Sequence, residues 1–419
     1  MNRKGYKHTS LGWIPEDWEV KELGKFATVT SGGTPDRRNV EYWNGNIPWI
    51  STSLIDFNNI DEAREFITEA GLRNSSAKIF PAGTILMALY GQGVTRGKVS
   101  ILTFPAATNQ ACAGIFPKDG CIDKSFLFQS FVFRYQDIRS LSNGGSQENL
   151  SGELVKSIQL ALPSIIEQKK IAQILSIWDS GIRQEQQLID ALQTRHRGLM
   201  HQLLSGKKRL KGFEEKWKEI RLGSLGESYS GLTGKPKEQF GHGKPFVTYL
   251  NVFSNAKTDL TQVNFVAINE GESQNAIQYG DFLFTVSSET PEEVGMTSVV
   301  LDTVTGVYLN SFCVGFRLRD FQTLLPEYAR FYFRSDEARK GITLLAQGST
   351  RFNISREGIR NLILNIPETL EQAAITSVLQ ASDLEIQLHR RRLAALQQQK
   401  KGLMQVLLTG KVRVKPTQD

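Results

Sequence analysis

One segment of this chain is written twice, and that duplication limits the fold more than any other feature. Residues 144–209 align without a gap on residues 348–413 at a constant offset of 204, and about 23 of the 66 paired positions are identical. Average amino-acid usage gives roughly one identity in 17 by chance, so the similarity is a true internal repeat. Shared signposts are Asn149-Leu150-Ser151 with Asn353-Ile354-Ser355, Pro163 with Pro367, Glu167-Gln168 with Glu371-Gln372, and Gly198-Leu199-Met200 with Gly402-Leu403-Met404. The preceding segments repeat more faintly: Trp18 and Leu23-Gly24 fall on Trp217 and Leu222-Gly223, Pro48-Trp49-Ile50 on Pro245-Phe246-Val247, and Gly83-Thr84-Ile85-Leu86 on Gly280-Asp281-Phe282-Leu283. Between these anchors the halves differ strongly. A period of about 200 residues is far too long for a solenoid, so the unit repeated is a domain. The expected divisions are a variable domain at 1–155, a similar helix at 156–210, a second variable domain at 211–360 and a second similar helix at 361–419.

Each similar segment reads as one long helix. After Pro163, the residues Ile171, Leu175, Trp178, Ile182, Ile189, Leu192, Leu199 and Leu203 recur in alternating steps of four and three once Glu185 and His196 are included. That is the spacing of a heptad seam. The second copy keeps the register with Ile375, Leu379, Ser382, Ile386, Leu393, Leu396, Leu403 and Leu407, and places His389 and Lys400 where the first has Glu185 and His196. Gly206 and Gly410 end both helices in the same way. The seam predicts ~33 residues per helix, or ~50 Å at ~1.5 Å per residue. An ordinary buried helix in each half is the competing reading; the length and strict spacing argue instead for a stripe that needs a partner. The two helices are therefore expected to form a coiled coil, with Glu185, His196, His389 and Lys400 setting its register.

Connectivity selects the direction of that pair. The second variable domain begins where the first helix ends and finishes where the second starts, and the termini of a domain usually lie close together. Antiparallel helices put those two ends side by side; parallel helices separate them by the full ~50 Å. The expected architecture is mixed α/β (α+β): two globular domains separated by two long helices in an antiparallel coiled coil, the halves related by a pseudo-twofold axis.

Within the variable domains, strand-like runs at 84–90, 98–102, 281–286 and 297–301 are separated by turn signals such as Ser31-Gly32-Gly33-Thr34-Pro35 and Asn44-Gly45-Asn46. Polar loops join the paired strands, and they carry side chains of the kinds that read base edges: Gln for adenine, Arg for guanine, Glu for cytosine. The candidates for DNA contact in the first domain are Arg37, Arg38, Asn39, Tyr42, Gln92, Thr95, Arg96, Lys98, Ser146 and Gln147. In the second they are Lys235, Lys237, His242, Lys244, Ser288, Glu289, Thr350 and Arg351, the lysines and the loops before the helices suiting phosphates. Any one of these residues is equally at home in a solvated hairpin loop; their weight is as sets. The charge balance, 50 Lys and Arg against 43 Asp and Glu for a net +7, is compatible with a polyanionic partner without demanding one.

Catalytic patterns are missing. Every Gly-Lys continues with Phe, Val, Lys or Pro, so there is no Walker A loop. Gly91-Gln92-Gly93 sits between strands and not at a helix start, which removes the phosphate-cradling geometry. The five histidines and three cysteines lack metal-ligand spacing, and no Gly-x-Ser-x-Gly elbow occurs. The expectation is a chain that is not itself an enzyme and holds no cofactor or metal. Three cysteines give no disulfide framework, and no apolar run suits a signal peptide or a membrane span, so a cytoplasmic location is expected.

Together these residues resemble one family over essentially the whole chain: the specificity subunit of type I restriction–modification systems. The resemblance rests on Trp18, Leu23-Gly24, Ser31-Gly32-Gly33-Thr34-Pro35, Ile47-Pro48-Trp49-Ile50, Asn109-Gln110, and on 348–355 followed by Ile366-Pro367 and Glu371-Gln372. The second domain departs from it, reading Gly231-Leu232-Thr233-Gly234-Lys235-Pro236 where the first has Gly-Gly-Thr-Pro. The resemblance implies that each domain reads one half of a bipartite, asymmetric site in double-stranded DNA while the helices fix the gap. It further implies two modification subunits docked on the helices, methylating adenine with S-adenosylmethionine, and two restriction subunits bringing ATP and Mg2+. A specificity subunit of a type IIB-like complex, and a coiled-coil scaffold that binds proteins rather than DNA, are the alternatives.

Overall fold

The computed structural model describes residues 4–91, 94–118, 120–141 and 149–414. The chain divides into two compact units, one from residues 1–186 with 391–419 and the other from residues 187–390. The first long helix is Ile165–Leu204 and the second Thr369–Leu407. Each unit thus holds half of each helix: the first has the start of one and the end of the other, and the second unit has the converse.

At 40 and 39 residues the helices are longer than the ~33 predicted from the seam alone. They begin over a turn earlier, directly after Pro163-Ser164 and Pro367-Glu368. Ser164 offers its hydroxyl oxygen to the Glu167 amide at 3.3 Å, satisfying one of the first-turn donors that a helix leaves unpaired. Both helices stop at a glycine in the left-handed region, Gly206 at φ 70° and Gly410 at φ 69°. Beyond it, the Lys208 and Val412 amides reach back to the carbonyls of Gln202 and Val406.

Every apolar seam residue is buried or half-buried, and Ile171, Leu175 and Leu379 are completely so. The helix ends do not stand apart from the globular regions. In the first unit Ile171, Leu175, Met404 and Leu407 join Trp18, Phe126 and Phe131 in one core. In the second, Leu203, Ile375 and Leu379 do the same with Leu222, Phe282, Tyr328 and Phe333. Burying one such side chain is worth about 1.5–3 kcal/mol, so each helix terminus is anchored in the core of its own unit.

Both units build matching sheets, each with one strand more in the first unit than in the second. In the first, the strand order is Ala27–Ser31, Cys112–Pro117, Ile85–Ala88, Val99–Leu102, then Asn59–Ile60. In the second it is Gly226–Ser230, Cys313–Leu318, Phe282–Thr285, then Thr297–Val299. A smaller sheet is centred on Trp43–Ile50 in one unit and Phe240–Val247 in the other. The hairpins expected from the strand-like runs are present: Met87 pairs with Val99, and Phe284 with Thr297.

The duplicated Glu-Gln pair acquires a physical meaning here. Glu167, 4% exposed in its side chain, receives two hydrogen bonds of 2.9 Å from Arg413; Glu371, 2% exposed, receives two of 2.7 Å from Arg209. Gln168 accepts from the Asp123 amide and donates to the Pro163 carbonyl, and Gln372 accepts from the Leu325 amide and donates to the Pro367 carbonyl. The glutamate ties the start of one helix to the chain just past the end of the other, and the glutamine ties it to the globular region. A second repeated node lies further along. Asp179 binds Lys400 and the Gln129 amide group, while Asp383 faces His196 at 3.4 Å and binds Arg330 at 2.8 Å. Two of the polar seam residues thus pair with an aspartate one position beyond Trp178 and Ser382. Glu185, 6% exposed, also has Arg392 at 3.6 Å.

Candidate nucleic-acid interface

In the second unit, three separate loops are brought to one place. Ser287-Ser288 pairs antiparallel with Phe352-Asn353, which sets the hairpin loop against the loop preceding the second helix. The Ile354 amide continues that pairing to the Val286 carbonyl. A short helix, Tyr249–Ser254, starts beside them, capped by the Thr248 hydroxyl accepting from the Asn251 amide. The Tyr249 hydroxyl donates to the Ser287 carbonyl at 2.7 Å, and Phe253 stacks on its ring. Burial pushes the Tyr249 phenol above its ordinary pKa, so it stays a neutral donor. The result is a cleft of about 390 Å³ whose lining includes Tyr249, Leu250, Ser288, Glu289, Phe312 and Arg351.

Ser288, Glu289 and Arg351, chosen from the sequence, therefore converge, and Thr350 is exposed beside them. Sequence reasoning missed Tyr249, Leu250, Phe253 and Phe312. A signal was present: Asn310-Ser311-Phe312 occupies the place of Asn109-Gln110-Ala111, and an aromatic in a polar turn is worth marking.

Lys237, His242 and Lys244 are exposed around the start of the strand Phe240–Val247. That strand bulges: pairing with Val266 shifts from Phe240 to Lys244, and the segment between is extruded. Gly243 makes this possible, with φ 96° and a position where a Cβ would lie 2.6 Å from the Val266 carbonyl oxygen.

Lys235 is corrected by the structure. Its side chain is 3% exposed, and its ammonium is held by the Ala267 carbonyl and the Glu272 carboxylate, so it braces a loop and faces no solvent. The Lys235 hydrogen bond, followed by those of Gln274 and the Asn269 amide, holds the Glu272 carboxyl down at about 2 from an ordinary 4.5. A carboxyl depressed on folding stabilises fully above its unfolded pKa, and that contribution fades as pH falls towards the folded value. Between pH about 4.5 and about 2 the Asn269 and Thr233 amides are expected to lose exchange protection, relative to intrinsic rates. Hydrogen exchange followed by NMR checks this, with Glu272→Gln removing the pH dependence; protection that stays constant across that window counts against the brace.

In the first unit fewer candidates face outward. The Arg37 guanidinium lies 3.9 Å from the Trp43 ring centre and pairs with Glu65. Arg38, 90% exposed, pairs with Asp36 and holds that carboxyl down at about 2. Asn39 caps a turn by accepting from the Glu41 amide, and Tyr42 is half-buried. Thr95 is half-buried; Arg96 is 7% exposed and donates to the Arg139 carbonyl; Lys98 pairs with Asp56 at 2.6 Å. Arg96, buried, is thus corrected to a loop brace, while Lys98 is half-buried in an ion pair whose aspartate is exposed, each cation being held by oxygens of the fold itself. Gln92, Ser146 and Gln147 lie outside the described residues. Among the described residues no cluster of His, Cys, Asp and Glu suits a metal ion, and no helix is long and apolar enough to cross a membrane.

Comparison with known proteins extends this picture. A family model described as the type I restriction modification DNA specificity domain matches the chain twice, over residues 15–194 and 214–398. The MjaIX specificity subunit of Methanocaldococcus jannaschii is 33% identical over 193 residues, 45% of this chain but only 44% of that relative's length. The MjaVIII specificity subunit of the same organism is 24% identical over 429 residues, spanning 96% of this chain and 94% of the relative. A chain solved in a study of complex assembly and conformational transition of the type I R-M system shares the fold, with a TM-score of 0.62 at 18% identity over 95% of this chain and 99% of its own.

Proposed function

This chain belongs to the type I restriction–modification DNA specificity family, and on that premise we propose that its two globular regions each read one half of a bipartite, asymmetric DNA site. One observation carries the reading: the same sheet framework is built twice, and the loops on it differ. A shared framework holds the backbone in one pose, and different loop side chains select different bases. In the second region the reading set is Ser288, Glu289 and Arg351, with Thr350, Lys237, His242 and Lys244 towards phosphates. In the first it is Arg38 and Tyr42, beside the turn in which Arg96 and Lys98 are held by the Arg139 carbonyl and Asp56.

The long helices serve as the spacer, paired as an antiparallel coiled coil with the halves related by a pseudo-twofold axis. Support comes from the matched ties inside each unit, Glu167–Arg413 with Asp179–Lys400 in one and Glu371–Arg209 with Asp383–His196 in the other. Two modification subunits dock on these helices, and two restriction subunits complete the complex. Methyl transfer from S-adenosylmethionine and ATP- and Mg2+-dependent steps belong to those partners; this chain supplies the address.

The test is modular exchange. Replacing residues 1–155 by the corresponding domain of another family member, in complex with modification subunits, is expected to change one half-site and leave the other intact. Methylation mapping that shows both halves altered sinks the proposal. DNA binding without the steep salt dependence of phosphate contacts favours the protein-binding scaffold instead.

A further inference from the structure

The two globular regions share a backbone at the mouth of the second region's cleft but not its surface chemistry. Ser51 and Thr248 precede equivalent short helices, Thr52–Leu54 and Tyr249–Ser254. Asn109 and Asn310 open equivalent turns, in which the Cys112 and Cys313 amides return to their carbonyls at 3.2 and 3.0 Å. On the first copy of this framework stand Ser53 and Ala111; on the second stand Leu250 and Phe312, 70% and 60% exposed. Holding two large apolar side chains in water on the rim of a polar cleft gains nothing for folding, since neither joins a core. Beside them sit Arg351 and Glu289, groups that bond to base edges.

The major groove has one apolar feature, the C5-methyl group of thymine, and side chains such as Phe recognise it by contact. We propose that Phe312 and Leu250 are specificity-determining residues that seat a thymine methyl group in the half-site read by the second region, flanking the hydrogen bonds made by Arg351 and Glu289. This rests on the DNA-reading function argued above and names the base that the region requires. A thymine is the single base that offers this cleft both an apolar contact and a hydrogen-bond acceptor. The hydroxyl of Ser53 and the one methyl of Ala111 leave the equivalent place in the first region without such a seat.

The experiment uses the chain in complex with its modification subunits, and target duplexes in which deoxyuridine replaces each thymidine of that half-site in turn. Uracil keeps the base pair and loses only the methyl group. At one position the uracil duplex is expected to bind roughly fourfold more weakly, the worth of one buried methyl group. Phe312→Ala and Leu250→Ser, both at exposed positions, should bind thymine and uracil duplexes alike there, each with about the affinity that the unaltered chain shows for the uracil duplex. The inference is overturned if the mapped half-site contains no A·T pair, if no position distinguishes uracil from thymine, or if Phe312→Ala keeps the distinction. It is equally overturned if Phe312→Ala loses its modification subunits while the uracil effect persists in Leu250→Ser, which assigns the surface to a protein contact. Failure of the DNA-reading function itself looks different: the complex then shows no sequence-specific binding to either duplex.

Discussion

Arg209→Ala is expected to lower the melting temperature of the second unit by roughly 6–12 °C. Glu371 is 2% exposed and takes two hydrogen bonds from Arg209, with the Trp217 indole N–H adding a third at 3.2 Å. Removing the arginine leaves a buried carboxylate with one neutral donor, a loss of about 3 kcal/mol, the low end for such pairs because the guanidinium is 26% exposed. For a unit of this size each kcal/mol is worth about 2–4 °C. Calorimetry of the whole chain should show the second unit's transition shifted and the first unit's unchanged, with Arg413→Ala producing the converse. Arg209→Met combined with Glu371→Leu should recover much of the loss, because an apolar pair of similar volume needs no partner charge. An unshifted transition in Arg209→Ala, or a double variant no better than the single one, would falsify the role given to this pair.

Inserting four residues after Ile189 is expected to abolish recognition of the native DNA site or to lengthen its preferred gap. The helix Ile165–Leu204 is continuous and carries residues of both units. Four added residues displace everything after them by ~6 Å and rotate it by ~40°. Ile189 and Leu192 are 2% and 5% exposed, so the insertion also moves the apolar stripe against the facing helix. Binding selection with a randomised central gap measures the outcome. A variant that keeps both affinity and gap length shows that the helices are not the spacer.

The parts of this fold that were legible in the sequence are those with a local period. The seam from Ile171 to Leu203 is spaced by the turn of the helix itself, and Gly206 ends that helix through its own backbone conformation. The strands Ile85–Ala88 and Phe282–Thr285 were visible as short apolar runs between turn residues. The helices exceed the seam because their first turns, carrying Glu167-Gln168 and Glu371-Gln372, face the globular region and the segment just past the end of the other helix. Nothing in an unaligned seam marks them as helix.

The candidate site was legible only in part, for a related reason. Lys235 and Lys237 are two residues apart and chemically identical, yet one is locked to Glu272 and the other is exposed. Arg96 read as a loop arginine, and its partner carbonyl lies 43 residues away in sequence. Phe312 is not marked by the sequence because aromatic residues usually signal a core, and exposure is a property of the assembled surface; Tyr249 does pack on a core and joins the cleft only through its hydrogen bond to the Ser287 carbonyl.

The sequence by itself therefore determined the duplication, the two long helices with their apolar stripe, and the family, since identity at matched positions and a repeat in steps of three and four are properties of the chain as a string. Tertiary structure alone decided which charges are braces and which are free to meet a ligand, and what the repeated Glu-Gln pairs hold. Glu371 finds Arg209 across 162 residues and Glu167 finds Arg413 across 246. An ion pair of that span leaves no local pattern, because the energy that selects it, the desolvation of a carboxylate and its recovery by one guanidinium, exists only once both groups have left water together.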